Sequence, residues 1–149
     1  MDTNQIQTLQ GSFSLIEPIA DTAASLFYSR LFELDPSLRR LFTSDLKEQG
    51  KKLMSSIKLV VTGLENPEKI MPAVRSLGKR HAGYGVQPEH YATVGEALLW
   101  TLETGLGEAY TPEVEAAWVN AYGFLSALMQ NAAAETVQKA TLCGQPGYA

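Results

Sequence analysis

The stretch 70-IMPAVRSLGKRHAGYGV-86 decides how this chain is read. Ile70, Val74, Leu77 and His81 recur at the three-and-four spacing of one helix face, and Gly83 and Gly85 close the segment at once. A histidine therefore stands where the seam calls for one more aliphatic side chain. The chain holds only two histidines, so the position is specific. An imidazole held against an apolar wall at a helix end is either a hydrogen-bonded core residue or an axial metal ligand.

Outward from this stretch, every periodic segment shows helical spacing and none alternates as a half-buried strand does, so the fold class is all-α. Thr3 or Asn4 is expected to cap a first helix with Ile6, Leu9, Phe13 and Ile16 on one face, and Pro18 marks the next start. The second helix runs to about Leu34 and buries Ile19, Ala23, Leu26, Phe27 and Leu31. Asp35-Pro36 opens a short turn ending near Phe42, and Thr43-Ser44-Asp45 forms a brief loop. A helix from about Leu46 to Thr62 carries Leu46, Leu53, Ile57, Val60 and Val61 inward, and Gly63 with Asn66-Pro67 ends it. Gln49 lies inside that stripe, where an amide without partners costs roughly 1 to 3 kcal/mol. Pro72 is expected to start the helix that bears His81. Gln87-Pro88 begins a long helix with Tyr91, Val94, Leu98, Leu102 and Leu106 inward. Thr111-Pro112 begins the last, with Val114, Trp118, Tyr122, Leu125, Leu128 and Met129. About seven to eight helices thus form one domain over residues 1–137, with 138–149 as a flexible tail.

Composition bounds the function. At 149 residues the chain makes one domain, and 45% hydrophobic with 19% charged residues is the balance of a soluble globule. A formal charge of −4 disfavours nucleic acid, and Arg39-Arg40, Lys51-Lys52 and Lys79-Arg80 are isolated pairs and not a phosphate-binding groove. The single cysteine, Cys143, lies in the tail, which excludes an internal disulfide and disfavours thioether attachment of a bilin in the folded body. No apolar run spans a membrane or follows a basic start as a signal peptide would, so a cytoplasmic location is expected.

Three candidate features converge if the helices pack as a globule: His81, Gln49 with Leu53, and Tyr28. Their context resembles the globin family, and within it neuroglobin and the bacterial single-domain globins of Hell's Gate type. The likeness rests on Leu26-Phe27-Tyr28-Ser29-Arg30-Leu31-Phe32, Asp35-Pro36 and Leu41-Phe42, then on Leu77-Gly78-Lys79-Arg80-His81 with Tyr84-Gly85-Val86. Thr93-Val94-Gly95-Glu96-Ala97-Leu98-Leu99, Ala116-Ala117-Trp118 and Ala121-Tyr122-Gly123 complete it.

The resemblance implies a globin fold around haem b, with His81 as proximal iron ligand. Its second ring nitrogen would donate to the Leu77 carbonyl one turn back, fixing the tautomer. Phe42 would pack on the porphyrin face; Leu77, Val86, Tyr91, Val94 and Leu98 would line the slot; Lys52 or Arg80 would meet a propionate. Gly50, facing a small Ala24, would let two helices cross closely. Gln49 stands where neuroglobin has its distal histidine, so coordination by two histidines through that site is not expected. His90, in the first turn of a helix, is expected to be exposed. Tyr28 would donate to bound oxygen, Gln49 would assist, and Leu53 would narrow the pocket. Phe13 stands where many globins have tryptophan.

The function implied is tight binding of oxygen, with carbon monoxide and nitric oxide as further ligands, as in oxygen storage or transport. A second reading is nitric oxide dioxygenation with a separate reductase, since 149 residues leave no room for a fused one. Against it, flavohaemoglobins back their histidine with a tyrosine and glutamate pair; Tyr91 resembles the tyrosine, but the glutamate position falls on Ala133 with Glu135 out of register. A third reading is a ligand-sensing or structural helical domain.

Overall fold

The computed structural model describes residues 1–43 and 45–142, and among these every regular element is helical. Six α-helices follow in order: α1 Thr3–Ile16, α2 Ala20–Leu34, α3 Leu46–Gly63, α4 Pro67–Gly83, α5 Pro88–Leu106 and α6 Pro112–Leu142. Three 3₁₀ turns, Glu17–Ile19, Pro36–Leu41 and Gly107–Ala109, join them. The expected seven to eight helices become six because two of the connecting pieces are single 3₁₀ turns and Pro36–Leu41 stays 3₁₀ throughout. Of the tail expected over 138–149, residues 138–142 continue α6, and residues 143–149, Cys143 among them, lie outside the described residues.

Local chemistry explains the boundaries. Asp2, and not Thr3 or Asn4, caps α1, its carboxylate accepting from the Gln5 amide at 2.8 Å. Asp35 and Asp45 do the same for the 3₁₀ turn and for α3. Pro67 starts α4 at the position where its missing N–H is no loss, so Pro72 falls inside the helix and does not start it, contrary to expectation. Gly107 ends α5 at φ +56°, a conformation that favours glycine.

The helices bury two apolar clusters. The larger joins Leu9, Phe13, Ile16, Ala23, Val61, Ile70, Val74, Tyr91, Trp118 and Met129 from all six α-helices. Within it Trp118 donates through Nε1 to the Ser12 hydroxyl at 2.8 Å, which satisfies both buried polar groups and ties α6 to α1. The smaller holds Phe27, Tyr28, Leu31, Leu38 and Ala97. Leu98 packs against both. Ile19, expected inside, is exposed, because the 3₁₀ turn at Pro18 rotates it off the α2 face.

Close helix crossings depend on glycine. A Cβ on Gly50 would lie 2.9 Å from the Ala24 Cβ, so α3 meets α2 at the pair of small residues anticipated from the sequence. At Gly78 a Cβ would come within 2.7 Å of the Met129 Cα, so α4 rests directly on the backbone of α6. The helix bearing His81 is thereby held rigidly.

Candidate functional site

His81 lies in the last turn of α4. Its Nδ1 is 2.8 Å from the Leu77 carbonyl oxygen, and because a carbonyl only accepts, Nδ1 carries the proton. Nε2 is left with a lone pair and has no protein partner among the described residues. Burial lowers the imidazole's pKa, the bond to Leu77 works against this, and the neighbouring Arg80 charge adds to the lowering. The ring is therefore held neutral, the form that binds a metal.

The chain turns sharply after this histidine. Val86 N–H donates to the His81 carbonyl and Gly85 N–H to that of Ala82, each at 3.1 Å, with Gly85 at φ +91°. This is a Schellman closure, and it requires the glycine that the sequence supplies. A Cβ on Gly85 would lie 3.8 Å from Leu41 Cδ2, so the turn abuts the segment that leads to Phe42.

Tyr28 on α2 is 5% exposed and stands among aromatic rings. Phe27 and Phe42 meet it edge-on at 5.2 and 5.4 Å between centroids, and Phe32 stacks at 6.1 Å. Its hydroxyl makes no hydrogen bond among the described residues. The only sealed side-chain polar atom without a partner there is Nε of Arg30, so the Tyr28 oxygen opens onto accessible space. Burial raises the phenol's pKa far above 10, which keeps it a hydrogen-bond donor. Phe32 was not anticipated as part of this group; its spacing of four from Tyr28 on one helix was the available signal.

The other anticipated residues fall around these two. Phe42, Leu53, Val94 and Leu98 pack on the Tyr28 cluster, and Leu77, Val86 and Tyr91 belong to the larger one. Gln49 is half-buried with no hydrogen-bond partner among the described residues. Lys52 is exposed on α3, and Arg80 lines an outer groove along α4. His90 differs from expectation: it is half-buried, and its Nδ1 accepts from the Gln87 amide at 2.9 Å, completing a capping box at the start of α5. Glu135 forms an ion pair with Arg75 on α4. The Tyr91 carbonyl accepts from the Tyr122 hydroxyl at 2.6 Å, an α5–α6 tie made possible because Gly95 leaves room for the Tyr122 ring.

The donor set fits haem. Among the described residues no three His, Cys, Asp or Glu side chains gather as a metal cage, so a metal on His81 must bring its other donors, as a porphyrin does. Phe32, Leu41, Phe42, Leu46, Leu53, Leu77, Val86, Val94 and Leu98 pack on buried clusters yet are themselves only partly covered. That surface suits a flat apolar group.

Comparison with known proteins agrees. The globin family model matches residues 25–129. The flavohemoprotein of Rhodopirellula baltica is 36% identical over 115 residues, 75% of this chain but 28% of that protein, so the chain spans little more than a quarter of that relative. The neuroglobin of Tetraodon nigroviridis is 35% identical over 118 residues, 70% of this chain and 74% of that one. Among solved structures, an engineered carbene transferase derived from a candidate nitric oxide dioxygenase of Rhodothermus marinus superposes with a TM-score of 0.86 at 27% identity, covering 95% of this chain and 99% of that one. No described helix is long and apolar enough to cross a membrane. With its helical order, its glycine crossings and these relatives in agreement, the chain belongs to the globin family.

Proposed function

We propose that this globin binds haem b through Nε2 of His81 and holds oxygen tightly beside Tyr28. The observation that carries the reading is the presence of both a neutral imidazole, with one nitrogen committed to Leu77, and a buried phenol whose hydroxyl has no partner among the described residues. Haem, when bound, would supply an iron able to take a diatomic gas. The chain does the rest. Leu77 orients His81, and Leu77, Val86, Val94 and Leu98 exclude water from the slot. Lys52 meets a propionate from the surface. Tyr28 donates to the partial negative charge on an oxygen ligand, which is worth about 1.5 to 3 kcal/mol and favours oxygen over neutral carbon monoxide. Gln49 gives a second donor or steadies the phenol, which accounts for an amide in an apolar stripe.

The purified protein should show a Soret band that shifts with carbon monoxide, and His81→Ala should lose it. A colourless protein that takes up no added haem overturns the reading.

Nitric oxide dioxygenation is the second reading, favoured by the names of the flavohemoprotein relatives and of the structural neighbour. Conversion of nitric oxide to nitrate with a cellular reductant tests it. The engagement of Glu135 with Arg75 counts against it, because that carboxylate is drawn to α4 and not to Tyr91.

A further inference from the structure

Because the Tyr28 hydroxyl makes no hydrogen bond among the described residues, packing alone sets the direction of the phenol. Its ring is bounded by Phe27, Phe32 and Phe42, and on a further side by the α3 backbone, where a Cβ on Gly50 would lie 3.8 Å from Tyr28 Cε2. Phe27 and Phe32 share α2 with Tyr28 and move with it. Phe42 does not. It follows the 3₁₀ turn Pro36–Leu41 in extended backbone and is only partly covered, so something other than α2 must hold it.

Arg39 holds it at both ends of its backbone unit. The Arg39 carbonyl accepts from the Phe42 N–H at 3.1 Å, and Nη1 of the same arginine donates to the Phe42 carbonyl at 2.9 Å. The guanidinium also lies over Phe32, 5.6 Å from the ring centroid, while Phe32 and Phe42 meet edge-on at 5.5 Å. One exposed side chain therefore grips two of the three rings that surround the phenol. A planar guanidinium suits the double task, since its face stacks on a ring while its N–H groups point in plane at a carbonyl; an ammonium cannot do both. Arg40, its neighbour, is exposed and makes none of these contacts.

We propose that Arg39 is the positioning residue of the Tyr28 donor: by fixing Phe32 and Phe42 it sets where the phenol points, and so how well oxygen is retained relative to carbon monoxide. The inference rests on the reading of Tyr28 as donor to an oxygen ligand, and adds to it a residue at the surface. Without the guanidinium the phenol is still present but Phe42 is released, and a hydrogen bond weakens steeply as it departs from linearity. Carbon monoxide, which carries little charge, should feel the change far less.

The test uses haem-loaded protein. Oxygen release in stopped flow should quicken about fivefold in Arg39→Met, with carbon monoxide release within about twofold of wild type. The same substitution in a Tyr28→Phe background should change oxygen release no further, because the group it positions is gone. In the carbon monoxide complex the C–O stretching band should broaden or split in Arg39→Met, as the phenol samples several directions, and recover in part in Arg39→Lys. Arg40→Met should match wild type throughout. Oxygen release and a C–O band both unchanged in Arg39→Met overturn the assignment, as does an equal acceleration with and without the Tyr28 hydroxyl, which would make Arg39 merely structural; either result leaves the haem reading standing. Where Arg39→Met does not keep its haem, Arg39→Lys carries the same test, with a smaller change of the same sign expected and no change overturning it. Wild-type oxygen release from Tyr28→Phe, or a protein that takes up no haem, removes the donor reading and this inference together.

Discussion

His81 and His90 use the same ring atom in opposite senses. Nδ1 of His81 donates to the Leu77 carbonyl at 2.8 Å and leaves Nε2 with its lone pair, whereas Nδ1 of His90 spends its lone pair on the Gln87 amide at 2.9 Å. Neutral His90 then carries its proton on Nε2 and has no nitrogen free for a metal. One histidine keeps a ring nitrogen without a partner among the described residues, and the other is a helix cap.

The two should separate on mutation. His81→Ala is expected to abolish haem retention, measured by the Soret band after gel filtration. His90→Ala should keep the haem and lose about 0.5 to 2 kcal/mol of stability as a lost cap, read by denaturant unfolding.

Tyr28→Phe removes one donor and leaves the ring packing on Phe27, Phe32 and Phe42. Oxygen release in stopped flow should quicken by roughly one to two orders of magnitude, with carbon monoxide release changed far less. Equal release rates in variant and wild type would remove Tyr28 from the site.

Alkaline stability follows from the same phenol. Burial raises the pKa of Tyr28 and of Tyr122, the latter raised further by Tyr91. A folded-state value above the unfolded value near 10 means the unfolded chain ionises first, so the contribution is full below pH 10 and is lost as pH rises beyond it. Unfolding midpoints of the apoprotein should fall steeply above pH 10. Tyr28→Phe and Tyr122→Phe should each flatten that limb.

Gly78→Ala puts a methyl group against the backbone of α6, where no side chain can move aside. A loss of about 1 to 3 kcal/mol is expected from overpacking, with weaker haem binding as α4 shifts. Gly50→Ala crowds the Ala24 Cβ at 2.9 Å and makes ordinary contact with the Tyr28 ring at 3.8 Å. Its cost should be partly recovered by Ala24→Gly in a double-mutant cycle.

Much of this was legible without coordinates because helices are written in local periodicity. The spacing of Ile70, Val74, Leu77 and His81, the Asp35-Pro36 and Thr111-Pro112 starts, and the bond from His81 to Leu77 all involve residues within a turn of one another. Pro72 was misread for the same reason: a proline announces a helix start locally, and only the earlier Pro67 places it in the interior.

What the order of residues determined, then, was an all-helical chain with a histidine prepared at a helix end and a phenol in another helix's seam, since capping, turns and amphipathic faces are short-range chemistry. The tertiary structure alone decided which of those groups keep a partner. Glu135 is drawn to Arg75 and Tyr122 to the Tyr91 carbonyl, while the Tyr28 hydroxyl is left with none among the described residues. Such pairings depend on where distant helices cross, and the crossings are set by how closely Gly50, Gly78 and Gly95 let backbones and rings approach.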